Sequence, residues 1–224
     1  MDAETIVDEP RAPGRRGFTG MPRDPERTAQ AILDAATAEF AMRGLTGARV
    51  DDIAARAGVN KRMLYHYYGN KKALYTAVLE SAYAAIRNAE LGLNLDRKPP
   101  EESIRTLAQF TWQYFLDNPH FLNLLAIENL HQARHIKGSS MVSTIHSGFI
   151  DRLKNVLGRG EAAGLFKPGL DPVEVYIMIA SLGAFYLSNR YTLSTIFRRD
   201  LMADDRVNRW GETMAEAALA YVRI

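Results

Sequence analysis

Residues 50–74 read VDDIAARAGVNKRMLYHYYGNKKAL, and this stretch decides the fold. Ile53 and Ala57 lie four residues apart on the apolar face of a helix of barely two turns, which Gly58 ends. Asn60 can cap the next helix, because its side chain accepts hydrogen bonds from backbone amides that have no helical partner. Two short helices joined by such a turn predict a helix-turn-helix.

The second helix of this pair is expected to present its polar face to DNA. Leu64 is placed to face the supporting helices, which turns the residues around it outward. Arg and Lys can pair with guanine in the major groove, and a Met side chain can touch a thymine methyl group. The predicted base-reading residues are Lys61, Arg62, Met63 and His66.

Basic residues also begin this helix and the one after it. Lys61 and Arg62 fall in the first turn of the recognition helix. Lys71 and Lys72 fall in the first turn of the next helix. Cations at a helix N-terminus oppose the helix dipole, so their position favours an anionic partner such as a phosphate backbone. A solvated surface with scattered charges is the alternative interpretation.

Three tyrosines follow in the recognition helix. We expect Tyr68 to be a core aromatic residue. Tyr65 and Tyr67 are better placed to pack their rings on the domain while their hydroxyl groups point at phosphates, which positions the helix without specifying a sequence.

This segment closely resembles the DNA-binding signature of the TetR family, and the resemblance extends over about residues 27–79. The matching elements are Ile53-Ala54, Ala57-Gly58-Val59, Leu64-Tyr65, Tyr67-Tyr68 and Lys71. The resemblance implies a three-helix DNA-binding domain with phosphate contacts from Tyr65, Tyr67 and Lys71. It further implies an all-helical C-terminal domain that dimerises and encloses an effector.

Two positions depart from the family pattern. Many members carry Thr, whose hydroxyl group contacts a phosphate, where this chain has Val50, and Arg49 is the residue placed to substitute for it. Gly or Pro is common in the family where this chain has Arg62. We therefore expect Arg62 to read a base that the relatives do not read.

The whole chain is predicted to be all-α. Upstream of the motif, Ile32, Ala36 and Phe40 form the apolar face of a first helix that Gly44 ends. No stretch that alternates apolar and polar residues indicates a sheet. Further helices are predicted at residues 71–91, 101–118, 120–134, 140–164, 172–197 and 205–222. The predicted domains are a disordered arm at 1–23, a helix-turn-helix DNA-binding domain at 24–70 and a helical effector-binding and dimerisation domain at 71–224.

The net charge is only +2, but the charge is unevenly distributed. Residues 11–80 contain twelve Lys and Arg against seven Asp and Glu, whereas residues 81–224 contain sixteen against fifteen. The basic excess therefore lies where the DNA contact is predicted. In the arm, Arg11, Arg15 and Arg16 either belong to a solvated tail or reach into the DNA minor groove.

Composition and motifs exclude several classes of function. The chain has no cysteine, which rules out disulfides, thiolate catalysis and cysteine-ligated zinc and fits a reducing cytosol. There is no apolar run of membrane-spanning length and no secretory signal, so we expect a cytoplasmic protein without a membrane partner. A phosphate-binding loop, a nucleophile elbow and a catalytic triad are also lacking, so we expect neither enzyme activity nor a cofactor.

The C-terminal helices predict a homodimer. Residues 172–187 are apolar on almost every side of their helix, and a small domain rarely encloses such a helix alone. Val207, Trp210 and Tyr221 contribute to a second apolar stripe on the last helix. We therefore predict dimerisation through about residues 172–222, which would hold two recognition helices about 34–36 Å apart on a palindromic operator.

The middle helices carry polar residues among aromatic ones, as ligand pockets do. Ordinary core aromatic residues and surface polar residues are the alternative at each position. The predicted effector-contacting residues are Trp112, Phe115, Phe121, Asn123, Glu128, His131, Gln132, Tyr186 and Asn189. Glu128, His131 and His135 can share one helical face, but the sequence offers no further ligand and we predict no metal site.

Residues 121–134 also resemble regulators of aromatic-acid and nitrogen-heterocycle catabolism within the same family. The resemblance implies a small aromatic or heterocyclic acid that Arg134 or His131 would meet, with a hydrophobic drug-like effector as the other class. We predict a repressor that an effector releases from operator DNA. A ligand-independent architectural or occlusion protein and an activator remain alternatives on the same scaffold.

Overall fold

The computed structural model describes residues 24–224, and the predicted arm at 1–23 lies outside the described residues. Within them the chain forms ten α-helices, a short 3-10 helix at Leu95–Arg97 and no β-strand, which confirms the predicted all-α fold. None of the described helices is long and apolar enough to cross a lipid bilayer. The helices are α1 (Pro25–Gly47), α2 (Val50–Arg56), α3 (Lys61–Tyr68), α4 (Lys71–Leu91), α5 (Pro100–Asp117), α6 (Pro119–Leu130), α7 (Ser140–Ala162), α8 (Pro172–Ser188), α9 (Arg190–Phe197) and α10 (Asp204–Val222).

Helices α1 to α3 form the predicted helix-turn-helix arrangement around a small apolar core. Ile53 of α2 and Leu64 of α3 are fully buried in this core. The Tyr68 hydroxyl group donates a hydrogen bond to the Ala29 carbonyl oxygen of α1 at 2.9 Å. Gly44 interrupts α1 with a φ of 66°, a left-handed conformation that favours glycine. These contacts fix one face of α3 and leave its other face to solvent.

Helix α4 joins the N-terminal core to the C-terminal helices. Leu74 and Val78, in its first half, are buried in the core formed with α1. Ile86, in its second half, packs instead in an aromatic cluster with Trp112 and Phe115 of α5. One helix therefore belongs to both cores and connects α3 to the C-terminal helices.

Two predicted helices are wrong in their extent. The predicted helix at 120–134 ends at Leu130, and the chain continues in turns where Gln132 and Ala133 adopt φ angles of 57° and 58°. The predicted helix at 172–197 is divided at Asn189 into α8 and α9. Neither break point carries the glycine or proline that would mark it in the sequence.

Candidate DNA interface and effector region

The first turn of α3 is an exposed cationic surface. Asn60 caps the helix as predicted, since its side chain accepts a hydrogen bond from the Arg62 amide at 2.8 Å. Lys61 and Arg62 are exposed, and no acidic residue lies in this turn. Two exposed basic side chains therefore lie together at a helix N-terminus, which favours a phosphate group or a base edge of a nucleic acid.

Lys61 already has an anionic partner within the chain. Its ammonium group lies 2.9 Å from the carboxylate of Asp51 in α2. The hydrogen bond that Lys61 donates to the Asp51 carboxylate raises the pKa of Lys61, so its side chain stays charged at neutral pH. Both side chains are about half exposed, and exposed ion pairs contribute little to stability. Lys61 can therefore leave Asp51 and contact a DNA group with little loss of protein stability.

The other residues of α3 differ in what they offer to DNA. His66 is exposed, and its ring meets the Tyr67 ring edge-on with 5.3 Å between centroids. Tyr65 is 41% exposed. Tyr67 is half-buried against the N-terminal core, and Met63 is also half-buried. Met63 thus presents only part of its side chain, which makes it the weakest of the predicted base readers.

Two basic residues stand at the starts of the neighbouring helices. Lys71 is half-buried, and its ammonium group donates a hydrogen bond to the Thr46 carbonyl oxygen at 3.4 Å. Arg49 is exposed at the N-cap of α2, where its side chain makes no capping hydrogen bond. Because Thr46 lies three residues before Arg49, the structure brings both basic residues to the turn between α1 and α2.

The predicted effector-contacting residues do not converge on one site. Trp112, Phe115, Phe121 and Tyr186 are buried in the same aromatic cluster. The Trp112 ring meets the Tyr186 ring edge-on at 5.4 Å, and its indole N–H donates to the Val207 carbonyl oxygen at 3.0 Å. Phe115 stacks on Phe121 with 5.9 Å between ring centroids. These four side chains are therefore part of one packed cluster.

Glu128 is engaged by the turn that follows α6. Its carboxylate accepts hydrogen bonds from the backbone amide and ring Nδ1 of His135, both at 2.8 Å, and from the Ile136 amide at 3.3 Å. Burial raises the pKa of Glu128, but these hydrogen bonds outweigh burial and hold the pKa below its ordinary value. His131 is half-buried and Gln132 is exposed. In the part of the chain that the structure describes, no three His, Asp or Glu side chains are placed to hold a metal ion.

Asn123 and Asn189 lie near the junction of α8 and α9. Asn123 lines a cleft of about 250 Å³ together with Phe115 and Tyr191. The Asn189 side chain donates a hydrogen bond to the Phe185 carbonyl oxygen at 2.8 Å, which closes the end of α8. This cleft is the place where two of the predicted residues, Phe115 and Asn123, meet.

Two buried charges in α4 were not predicted from the sequence. Arg87 and Glu90 are each 3% exposed, and Nη2 of Arg87 lies 3.0 Å from Oε1 of Glu90. A sequence signal for them exists, because Leu79, Tyr83 and Ile86 follow the helical period that leads to position 90. A carboxylate therefore occupies a position that the apolar period assigns to the protein interior.

Comparisons with known protein families cover both parts of the chain. Residues 32–78 match the family model of bacterial regulatory proteins of the tetR family. Residues 100–217 match the model of the tetracyclin repressor-like C-terminal domain. The two matches together take in the helix-turn-helix and most of the C-terminal helices.

Two curated relatives agree with these matches. The HTH-type transcriptional repressor NicS of Pseudomonas putida is 38% identical over 198 residues, which are 88% of this chain and 93% of NicS. The HTH-type transcriptional repressor SCO4008 of Streptomyces coelicolor is 39% identical over 108 residues, 48% of this chain and 53% of that protein.

Two solved structures share the fold at 18% identity. A bacterial regulatory protein in the tetR family from Rhodococcus RHA1 has a TM-score of 0.69 and covers 88% of this chain and 97% of its own. AibR, solved in complex with isovaleryl coenzyme A and operator DNA, has a TM-score of 0.66 and covers 85% and 97%. At this identity the likeness concerns the fold alone.

Proposed function

The chain belongs to the TetR family of bacterial regulatory proteins, and from this we propose that it is a dimeric repressor which a small-molecule effector releases from a palindromic operator. The families and relatives that it matches are transcriptional regulators, so the chain is a regulator and not an enzyme. The observation that carries the proposal is the exposed cationic first turn of α3, which Asn60 caps and the buried Leu64 anchors.

The proposed DNA contacts divide into two groups. We assign the base contacts to the exposed side of α3 and the phosphate contacts to its flanks. Phosphate contacts position the protein on the duplex, and base contacts read the sequence. The base contacts are Lys61, Arg62, Met63 and His66. The phosphate contacts are Arg49, Tyr65, Tyr67 and Lys71.

The proposed dimer is supported mainly by α8. Val173, Ile177 and Phe185 are 43%, 57% and 62% exposed and lie on one face at multiples of four residues. An exposed apolar stripe of this kind is typical of a protein interface. In α10, by contrast, apolar residues pack within the chain, since Met214 is buried and Trp210 of the predicted stripe stacks on the Tyr186 ring of α8.

Helix α4 supports the proposed effector response. We place the division between the two domains at about residue 70, so α4 starts with the phosphate-binding Lys71 and ends among the C-terminal helices. An effector that displaces the end of α4 would therefore change the separation of the two recognition helices. A coupling of about 1–3 kcal/mol would change operator affinity about 5- to 150-fold.

Fluorescence anisotropy tests the proposed function. We expect selective binding of a duplex from upstream of the chain's own gene over an unrelated duplex, with an affinity that falls steeply as salt rises. Lys71→Ala should weaken binding on both duplexes and reduce the salt slope by about 1, because one phosphate contact is lost. Equal, weak binding of both duplexes would contradict a specific repressor of its own gene.

Arg62→Ala should act differently from Lys71→Ala. The exposed Arg62 side chain is expected to contact one base, so its removal should cost about 1–3 kcal/mol on the preferred site and relax the preference at one position. Binding of a panel of single-base operator variants measures this change. An unaltered base preference in Arg62→Ala would show that Arg62 is not a base reader.

A further inference from the structure

The side chain of Arg87 lies among aromatic rings in the interior of the C-terminal helices. Its guanidinium carbon is 4.2 Å from the ring centroid of Phe149 in α7 and 4.9 Å from that of Tyr176 in α8. Its Nη2 donates a hydrogen bond to the Tyr176 hydroxyl group at 2.8 Å. A planar cation is therefore held in place by two rings and one hydroxyl group.

Most hydrogen-bonding atoms of this group are unpaired. Nε and Nη1 of Arg87 are buried and have no hydrogen-bond partner. Glu90 approaches Nη2 at 3.0 Å, but neither of its carboxylate oxygens accepts a hydrogen bond. Buried polar atoms in folded proteins nearly always have partners. Buried ion pairs also need good hydrogen-bond geometry to offset their desolvation, and the Arg87–Glu90 pair lacks it.

The unpaired atoms indicate the chemistry of the missing partner. A guanidinium group with free N–H donors matches a carboxylate, whose oxygens accept charge-assisted hydrogen bonds. The surrounding rings of Phe149 and Tyr176 favour a flat apolar body on the same ligand. A cavity of about 110 Å³ lies on the far side of the pair, lined by Glu90 and Phe149 and not by Arg87, and it exceeds the roughly 10–15 Å³ that one water molecule needs.

We infer that Arg87 is the anchor for the carboxylate of a small aromatic acid, which binds among the rings of α4, α7 and α8. This inference rests on the proposed function, because the acid would be the effector. The site lies on the second half of α4, so its occupation acts directly on the helix that begins with Lys71.

Glu90 competes with the ligand for the same guanidinium group. Burial raises the pKa of Glu90 to about 7, against a smaller opposing effect of the charges on Arg87 and Arg152. When a ligand carboxylate reaches Arg87, Glu90 can take up a proton from solvent, so that only one negative charge remains. The other titratable groups that face the pair are Tyr83 on α4, Tyr114 on α5, His146 on α7 and Tyr176 on α8. Burial lowers the pKa of His146, so this ring is neutral at pH 7.5.

Titration calorimetry with defined probes tests the inference. The probes are benzoate and the pyridinecarboxylates, each compared with its carboxamide and with cyclohexanecarboxylate. We expect at least one aromatic carboxylate to bind the wild-type protein about 10- to 100-fold more tightly than its carboxamide. At pH 7.5 the apparent enthalpy should depend on the ionisation enthalpy of the buffer, because Glu90 takes up a proton. If no carboxylate binds more tightly than its carboxamide, the inference is wrong.

Three variants separate an anchor from a structural pair. Arg87→Met should abolish the preference for carboxylates, whereas Arg105→Met, which removes a half-exposed arginine on α5, should keep it. Glu90→Gln should bind the carboxylate several-fold more tightly and lose the buffer dependence. If Arg87→Met does not fold, the Glu90→Gln result decides: unchanged affinity and unchanged proton uptake would overturn the inference. Equal carboxylate binding by a folded Arg87→Met protein would overturn it as well.

The same proteins separate this inference from the proposed function. If the wild-type protein binds its operator selectively and no probe binds through Arg87, the proposed repressor function is supported and the proposed role of Arg87 is wrong. If carboxylates bind through Arg87 but no duplex is bound selectively, the role of Arg87 is supported and the proposed repressor function is wrong.

Discussion

A protein that carries both Ile177→Asp and Phe185→Asp is expected to be a monomer and to lose operator affinity about 100-fold or more. Both side chains are more than half exposed in the single chain, so the change should leave the fold of each subunit intact. It would place two carboxylates in the centre of the proposed α8 interface, where they would be desolvated without partners. A monomer presents one recognition helix instead of two. It therefore loses the gain in affinity that comes from linking two DNA-binding domains, which is typically 10²- to 10⁴-fold.

Light scattering after gel filtration measures the oligomeric state, and circular dichroism verifies the helical fold. Leu130→Asp is a matched control, because Leu130 is 82% exposed at the end of α6 and is not part of the α8 stripe. We expect the control to remain a dimer with unchanged operator affinity. A double variant that stays dimeric and binds DNA normally would place the interface elsewhere, with the exposed Tyr191 and Ile196 of α9 as the next surface to test.

The helix-turn-helix could be predicted from the sequence because local signals specify it. Asn60 caps α3 through its own side chain, and Gly44 marks the interruption of α1 through its backbone conformation. Leu64 is buried as the apolar period predicts. Each of these properties depends on a few neighbouring residues, so a single sequence contains the information.

The turn after α6 could not be predicted in this way. Gln132 and Ala133 adopt left-handed φ angles without a glycine, and the side chain of Glu128 accepts the backbone hydrogen bonds that follow them. This exchange of a helical hydrogen bond for a side-chain acceptor has no signature in hydrophobic periodicity. Glu128 was therefore predicted to contact an effector, whereas in the structure its carboxylate holds the turn.

The candidate effector residues show the same limit. Trp112 and Tyr186 were chosen as aromatic residues among polar ones, and the structure packs them against each other. Arg87 was not chosen, because the apolar period marks the interior side of α4 but does not show whether a charge on that side finds hydrogen-bond partners. Its importance follows from burial and from unpaired donors, which only the packing of α4, α7 and α8 determines.

Glu128→Ala is expected to destabilise the protein by about 3–5 kcal/mol, because it removes one partner of a buried, hydrogen-bonded pair. The change leaves the amides of His135 and Ile136 and the ring of His135 without their acceptor. The His135 ring also meets the buried Tyr75 ring of α4 edge-on at 5.1 Å, and Tyr75 meets Phe40 of α1 at 5.1 Å. The loss should therefore lower the stability of the N-terminal core together with that of the turn.

Urea unfolding of wild-type, Glu128→Ala and Glu128→Gln proteins measures this effect. Glu128→Gln keeps one oxygen as an acceptor for the amides, so it should lose less stability than Glu128→Ala. The folded pKa of Glu128 is lowered, so the stability due to its carboxylate is present above the unfolded pKa of about 4.3 and is lost as pH falls through the folded value. The difference between wild type and Glu128→Gln should thus shrink below about pH 4. A Glu128→Ala protein as stable as wild type at pH 7 would mean that water satisfies the freed donors and that the carboxylate does not hold the turn in place.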